Sequence, residues 1–290
     1  MAGGQRHGDG AQRSLGHARG YALGEGVAVA VAHSIAVISG KGGVGKSTVS
    51  LNLALALAEA GTRVGLLDAD LYGPDIPVMV NLTRRTPLRF WDLASAPAQK
   101  PIRLEPVERF GVKIMSVGFL LAEQQALALP GPMSSLVLHQ LATAVDWGVL
   151  DYLVIDFPPG ASEVQQQLLS LLRPSGALIV VSPQDVAHLD AKKVLDLLQR
   201  LSIPVLGGFE NFSVMDCPHC GKPVEVFPSA KPERSIWSLG VEQLGRLPID
   251  PAVARAAETG RPLLAADPDS PPARAFRQLA SVIIEALPRA

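Results

Sequence analysis

Short apolar runs alternate along this chain with stretches whose apolar residues recur at helical spacing, the pattern of a mostly parallel sheet covered by helices on both faces. Residues 27–38 predict the first strand. Residues 49–60 follow as a helix, with Leu51, Leu53, Leu55 and Leu57 among alanines, so it should be buried on most sides. Gly61 stops that helix at a C-cap position. Residues 63–67 predict the next strand, closing one βαβ unit at Asp68-Ala69-Asp70. Residues 73–110 are rich in Pro and Arg and lack a clean period, which predicts a long excursion containing a short helix. Strands are then expected over 111–117, 150–156, 176–181 and 204–209, and helices over 133–145, 163–172 and 186–200. Residues 212–231 leave the alternation. It resumes at 247–250 and ends in helices over 251–258 and 273–286. The expected organisation is a flexible lead at residues 1–26 and a single α/β domain over 27–290 carrying an insert at 212–231.

Between the first strand and the first helix lies Ser39-Gly40-Lys41-Gly42-Gly43-Val44-Gly45-Lys46-Ser47-Thr48. Strand, glycine-rich turn and helix form the context in which a phosphate loop is credible. Glycines let successive backbone N–H groups face one concavity, and the helix start adds unpaired donors and a positive dipole end. Gly40 to Thr48 are therefore candidate nucleotide ligands, with Lys46 placed to reach the outer phosphates and Ser47 to ligate Mg2+. Lys41 is a second cation inside the glycine run, where an ordinary phosphate loop needs none. It is expected to meet phosphate carried by a neighbouring subunit, the arrangement of the deviant Walker A ATPases, which this stretch resembles.

Ligands of such sheets bind beyond the carboxyl ends of the strands. Asp68, Asp70, Asp156 and Asn211 all fall just past predicted strand ends, on the edge that carries the glycine loop. Asp156 ends an apolar strand, the place of an acid that holds Mg2+ through water. One of Asp68 and Asp70 is expected to orient the attacking water, Asp68 being favoured, while the other supports Mg2+. Gly160, in Phe157-Pro158-Pro159-Gly160, should lie near the terminal phosphate, where its N–H could sense it and move the following segment.

Charge and cysteine content narrow the function classes. With 26 basic and 27 acidic residues and a formal net charge of −1, a general nucleic-acid surface is not expected. No run is long and apolar enough to predict a membrane span, and stable membrane association is not expected. Arg6, Arg13 and Arg19 with few acids give a faint organelle presequence signal; a cytoplasmic protein is preferred to one of the mitochondrial matrix. Two cysteines, Cys217 and Cys220, stand in Cys217-Pro218-His219-Cys220-Gly221 and build no disulfide framework, so a reducing compartment is the default. The pair reads as a metal knuckle, a thiol–disulfide site or two inert thiols. The second needs a helix after the first cysteine, and Gly221-Lys222-Pro223 disfavours one. As a knuckle it supplies half of a tetrahedral site, so a symmetry mate or partner protein must complete it, with zinc or an iron–sulfur cluster as the metal.

The two lysines of the loop, Leu66-Leu67-Asp68-Ala69-Asp70 with Tyr72-Gly73-Pro74, Asp156-Phe157-Pro158-Pro159-Gly160 and the cysteine turn occur in the order found in the Mrp/Nbp35 family of iron–sulfur cluster carrier ATPases. The chain resembles that branch of the deviant Walker A, MinD-like group over most of its length. The resemblance implies a P-loop NTPase fold, ATP and Mg2+ as ligands, and slow hydrolysis of ATP to ADP and phosphate. It further implies a dimer, identical or with a paralogue, holding a labile [4Fe–4S] cluster through Cys217 and Cys220 of each subunit for delivery to apo-proteins. Asn211 would read adenine. Three stretches depart from the family pattern: Ala161-Ser162-Glu163 replaces the usual Thr-Gly-Asp, Leu129-Pro130 replaces Trp-Arg, and Phe212 replaces a methionine. Two other functions share the loop: a MinD/ParA-like positioning or partitioning ATPase, and a zinc-bridged scaffold dimer that binds ATP without turnover. The first usually needs a membrane-binding tail or a basic DNA surface. The apolar stripe of residues 273–284 is explained more simply by packing on the sheet.

Overall fold

The structure is a computed structural model, and it describes residues 30–82, 104–120 and 131–289. The expected lead at 1–26, most of the Pro/Arg-rich excursion and the Leu129-Pro130 departure lie outside the described residues. Strand β1 (Ala30–Ile38), helix α1 (Lys46–Glu59) and strand β2 (Val64–Asp68) make the first βαβ unit. The short helix α2 (Ile76–Met79) falls in the excursion, as the sequence suggests. Strands β3 (Val107–Arg109) and β4 (Val112–Ser116) pair antiparallel. Then come α3 (Gly131–Thr143), β5 (Val149–Asp156), α4 (Glu163–Leu172), β6 (Gly176–Val181), α5 (Asp185–Arg200) and β7 (Val205–Asn211). The minimal hairpin β8 (Met215–Asp216) and β9 (Pro223–Val224) stands apart from the main sheet. β10 (Gln243–Leu247), α6 (Pro251–Glu258), α7 (Leu263–Ala266) and α8 (Pro271–Ala286) complete the chain.

The eight sheet strands lie in the order β10-β7-β6-β1-β5-β2-β4-β3, all parallel except the β3–β4 edge. Alternate residues of each strand serve opposite faces. Leu67, Ile155 and Ile179 pack with Leu138 and Leu141 of α3, Leu168 of α4 and Val194 of α5. Their neighbours Leu66, Val154 and Leu178 pack with Leu51 and Leu53 of α1 and Phe276 and Leu279 of α8. Because both faces are covered, β2 and β6 are buried throughout, which is why they read as unbroken apolar runs. Helix α8 spends its apolar stripe on this packing, burying Ala273, Phe276, Leu279, Ala280 and Ile283. No helix among the described residues is long and apolar enough to cross a membrane.

One sequence expectation changes. The excursion after β7 continues beyond residue 231 through 3₁₀ turns at Pro232–Arg234 and Trp237–Leu239, and the chain rejoins the sheet at Gln243, four residues before the expected return at 247. The reason is packing: Ile236 is fully buried, and the Trp237 ring fills the space left by Gly208, where a Cβ would lie 2.4 Å from it. Ser162, in one of the departing stretches, caps α4 by accepting a hydrogen bond from the Gln165 N–H, a role the sequence gives to serine readily.

Candidate nucleotide and cysteine site

The residues that end β1, β2, β5 and β7 converge at one edge of the sheet. Gly43 (φ 79°) and Gly45 (φ 81°) take left-handed backbone conformations that only glycine adopts without strain, curling the loop between β1 and α1. Helix α1 starts at Lys46 with no side-chain cap and no acid in its first turn. Its first N–H groups and the positive end of its dipole are thus left to an anion. Three contacts brace the loop from outside. A Cβ at Gly40 would lie 2.2 Å from the Asp190 carbonyl carbon and 2.4 Å from the Ala191 nitrogen, so the loop backbone sits directly on α5. The Asn211 side-chain amide donates to the Val44 carbonyl at 2.9 Å. The Gly160 N–H donates to the Ser39 carbonyl at 2.9 Å, which sets the Pro159-Gly160 turn against the loop.

Beneath the loop the acids gather. Asp68 and Asp156 are register partners on adjacent parallel strands, both fully buried. The Lys46 ammonium donates to Asp156 Oδ1 at 2.9 Å and lies 3.7 Å from Asp70 Oδ2. Asp156 Oδ1 also accepts from the Ser50 hydroxyl at 2.7 Å, whereas the buried Asp156 Oδ2 has no partner. Asp68 has both oxygens engaged, accepting from the Ser116 hydroxyl at 2.8 Å and from the Asp70 N–H at 3.2 Å. Burial would lower the Lys46 pKa, but the pull of Asp156, Asp70 and Asp68 outweighs it and raises the ammonium above its ordinary range. Burial, then the Asp156 charge beside it, pushes Asp68 well above the usual carboxylate range, against Ser116 and Lys46. Burial also raises Asp70, opposed by Lys46 and reinforced by Asp156.

Three carboxylates thus share one ammonium, and one buried carboxylate oxygen is orphaned. The orphaned oxygen of Asp156 and the excess of negative charge fit a divalent cation held through water, although the three carboxylates do not form a direct metal-binding set. Ser47 and Thr48 stand half-buried in the first turn of α1, above Asp156. Lys41, expected to reach into a neighbouring subunit, donates within its own chain to Gln184 Oε1 at 3.4 Å, a long contact at the start of α5.

The cysteine turn lies between β8 and β9, six residues after β7 ends at Asn211. The Cys217 N–H donates to the Lys222 carbonyl and the Gly221 N–H returns to the Cys217 carbonyl, with Gly221 at φ 68° closing the turn. Cys217 is half-buried and Cys220 exposed, both free thiols. Backbone N–H groups of His219 and Cys220, and the Cys220 thiol, hold the Cys217 thiol below its ordinary range, which favours the thiolate that binds metal. No helix follows the pair, so the thiol–disulfide geometry is not met. Among the described residues no group of three or more His, Cys, Asp or Glu side chains is placed to hold a metal ion. One chain therefore offers two thiolates.

Sequence reasoning picked the loop glycines, Lys46 and the strand-end acids. It missed Ser50, Ser116 and Gln184. Ser50 had a legible signal, a polar residue four positions after Lys46 on a helix that is mostly apolar beyond it. Ser116 and Gln184 had none, since their contacts span 48 and 143 residues of chain.

A family model described as ParA: NUBPL iron-transfer P-loop NTPase matches residues 30–284. The chain is 43% identical over 250 residues to an iron-sulfur cluster carrier protein of Pseudomonas fragi, covering 86% of this chain and 84% of that protein. It is 37% identical over 254 residues to the Arabidopsis thaliana iron-sulfur protein required for NADH dehydrogenase, mitochondrial, covering 87% and 78% of the two. Among solved structures, the nucleotide-binding protein of Archaeoglobus fulgidus in complex with ADP superposes with a TM-score of 0.65 at 34% identity, over 80% of this chain and 87% of that one. The septum site-determining protein MinD of Pyrococcus horikoshii, with Mg-ADP, superposes at 0.63 and 23% identity over 88% and 96%, a likeness of fold alone.

Proposed function

Because the chain belongs to the Mrp/Nbp35 (ApbC-like) family of iron–sulfur cluster carrier P-loop ATPases, we propose that it holds a [4Fe–4S] cluster between two subunits and passes it to apo-proteins in step with ATP hydrolysis. The observation that carries this reading is the cysteine turn beyond β7, the strand whose last residue, Asn211, is hydrogen-bonded to the phosphate loop. Two thiolates are half of the usual four-cysteine set for such a cluster. A two-fold dimer supplies the other half, identical subunits being the simplest case and a paralogue equally competent. The cluster is cargo, so its site can be open: Cys220 is exposed, and its partner thiol is biased toward the thiolate. Clients are apo iron–sulfur proteins; neither nucleic acid nor a stable membrane contact is part of the reading, and the reducing cytoplasm is its setting.

In the ATPase step, water attacks the terminal phosphorus, the bond to the bridging oxygen breaks, and ADP and phosphate leave. Loop N–H groups from Gly40 to Thr48 hold phosphate oxygens, and Lys46 leaves Asp156 to meet the outer phosphates. Ser47 and, through water, Asp156 would hold Mg2+, which would supply positive charge against the phosphate oxygens. Asp70 is the better candidate to orient the attacking water, contrary to the sequence expectation for Asp68. Asp68 is fully buried with both oxygens hydrogen-bonded, whereas Asp70, which accepts from the Gly73 N–H at a longer 3.3 Å, lies at the rim of the cluster beside Lys46. Gly160 senses the terminal phosphate once its N–H leaves the Ser39 carbonyl, Lys41 acts across the dimer once Gln184 releases it, and Asn211 reads adenine.

Iron, sulfide and zinc analysis of anaerobically purified protein tests the carrier reading. About four irons and four sulfides per dimer are expected, lost when Cys217 and Cys220 are both changed to Ala. Cluster retained by that double variant, or stoichiometric zinc that iron cannot displace, would overturn it, the latter in favour of a structural bridge.

A further inference from the structure

The cysteine hairpin is anchored at both ends to elements that touch the phosphate loop. On the entry side, Asn211 donates to the Val44 carbonyl, and the Phe212 N–H donates to Asn211 Oδ1 at 3.0 Å. On the exit side, the chain is stitched to one face of α5. Asp185 accepts from the Lys231 N–H at 2.8 Å and from the Arg234 guanidinium at 2.8 Å. One turn on, His188 Nδ1 accepts from the Ile236 N–H at 3.3 Å, and its ring meets Trp237 edge-on. One turn further, Lys192 donates to the Glu233 carbonyl at 2.9 Å. Positions 185, 188 and 192 share a helical face, so the three grips form one seam.

The opposite side of the same helix end rests on the phosphate loop. Gly40 lies against the backbone at Asp190 and Ala191, close enough that even a methyl group would collide. Lys41 is bonded to Gln184, the residue at which α5 begins. The hairpin itself has little rigidity of its own: β8 and β9 pair through two residue pairs, Met215 with Val224 and Asp216 with Pro223. An isolated hairpin that short takes its position from its anchors.

We propose that α5 is the lever through which phosphate-loop occupancy repositions the cysteine hairpin, with Asp185 as the positioning residue that fastens the hairpin's exit to the lever. When phosphate draws Lys41 from Gln184, the start of α5 loses a tether. Any movement of the loop at Gly40 is delivered to the helix backbone without slack, because the atoms are already in contact. The seam at Asp185, His188 and Lys192 then carries the movement to residues 231–236. This inference rests on the carrier reading only for its purpose; the mechanical link is a property of the chain itself.

The test therefore uses cysteine chemistry in place of cluster transfer. Alkylation rates of Cys217 and Cys220 by iodoacetamide would be measured on the full-length, cluster-free protein, with and without Mg2+ and a non-hydrolysable ATP analogue, alongside light scattering. The wild type should show a nucleotide-dependent change of about fivefold or more, the usual range of coupling between sites. Asp185→Ala should bind the analogue and dimerise as the wild type does, yet lose most of that change. Asp185→Asn, which still accepts from the Lys231 N–H, should recover part of it. Arg234→Ala, at a half-exposed position, tests the same seam should Asp185→Ala fold poorly. A wild type whose cysteines ignore nucleotide overturns the lever, as does an Asp185→Ala or Arg234→Ala variant with the full response. Either result leaves the carrier reading to its own metal analysis. Loss of iron binding with an intact nucleotide response would separate the two the other way.

Discussion

Lys46 is the lone cation among Asp68, Asp70 and Asp156, and replacing it with Ala should destabilise the nucleotide-free protein strongly at neutral pH. The ammonium is 6% exposed, bonded to Asp156 at 2.9 Å and 3.7 Å from Asp70. Removing one partner of a buried pair typically costs about 3–5 kcal/mol, because the other charge is left uncompensated. Two features moderate the figure here. Asp156 keeps the Ser50 hydroxyl, and Asp70 is 12% exposed, so a loss of about 3 kcal/mol is expected at pH 8. The pH dependence has a definite sign. In the wild type, the raised Lys46 pKa means its contribution is fully present below the ordinary lysine value of 10.5 and is lost as pH rises through the folded value. In the variant the carboxylates face one another without a cation, and Asp68 and Asp70, already raised by burial, lose the Lys46 charge that opposed the rise. They can then take up protons as pH falls, and the deficit against wild type should shrink between about pH 8 and pH 5. Urea unfolding of both proteins, freed of nucleotide and Mg2+ and followed by circular dichroism, measures it. A variant as stable as wild type at pH 8, or a deficit unchanged down to pH 5, would refute the account of the cluster.

Two further predictions concern α5. His188 is 1% exposed and accepts a backbone hydrogen bond; burial, ahead of the opposing Asp185 charge, lowers its pKa to about 4. Its contribution should be present above the ordinary value of 6.5 and lost as pH falls toward the folded one, about 3 kcal/mol over that window. Unfolding curves of wild type and His188→Gln between those limits should therefore converge on acidification, and parallel curves would contradict the prediction. Gly40→Ala would drive a methyl group into the α5 backbone at 2.2–2.6 Å, and overpacking of that kind costs about 1–3 kcal/mol. A lowered thermal midpoint with weakened nucleotide binding is expected; an unchanged midpoint would mean that loop and helix are not in contact.

Much of this architecture is legible in the chain because strands buried on both faces and helices buried on one leave different periods. β6 and α4 fall on the residues the pattern predicts, 176–181 and 163–172. The glycine loop is legible for a related reason, since few other uses exist for so many glycines between a strand and a helix. The illegible parts depend on long-range contact. Nothing near Lys46 announces that, without nucleotide, it will hold Asp156, 110 residues away. Nothing near Lys231 announces that Asp185 will capture its N–H, so the insert reads as ending at 231, short of the packed turns that follow it. Asn211 shows a mixed case. Its place at a strand end is readable, but its bond to the Val44 carbonyl follows from the closeness of Gly45, where a Cβ would lie 2.1 Å from the amide nitrogen.

Charge balance in the cluster explains why nucleotide and divalent cation should enter together. Moving Lys46 onto phosphate strips Asp156 of its ammonium, leaves the Ser50 hydroxyl as its remaining partner and adds the phosphate charge to three nearby carboxylates. Unpaired carboxylates at that burial cost several kcal/mol each unless they protonate, so nucleotide alone would meet opposition from the site built to receive it. Protonation is the cheap escape for Asp68, whose pKa is already raised and which faces its register partner Asp156. A divalent cation restores the lost positive charge and supplies a partner for the orphaned Asp156 Oδ2 in one step. On this reading the lysine and the cation would exchange places around a single carboxylate, and Ser50, bonded to Asp156 Oδ1, is positioned to hold that carboxylate still.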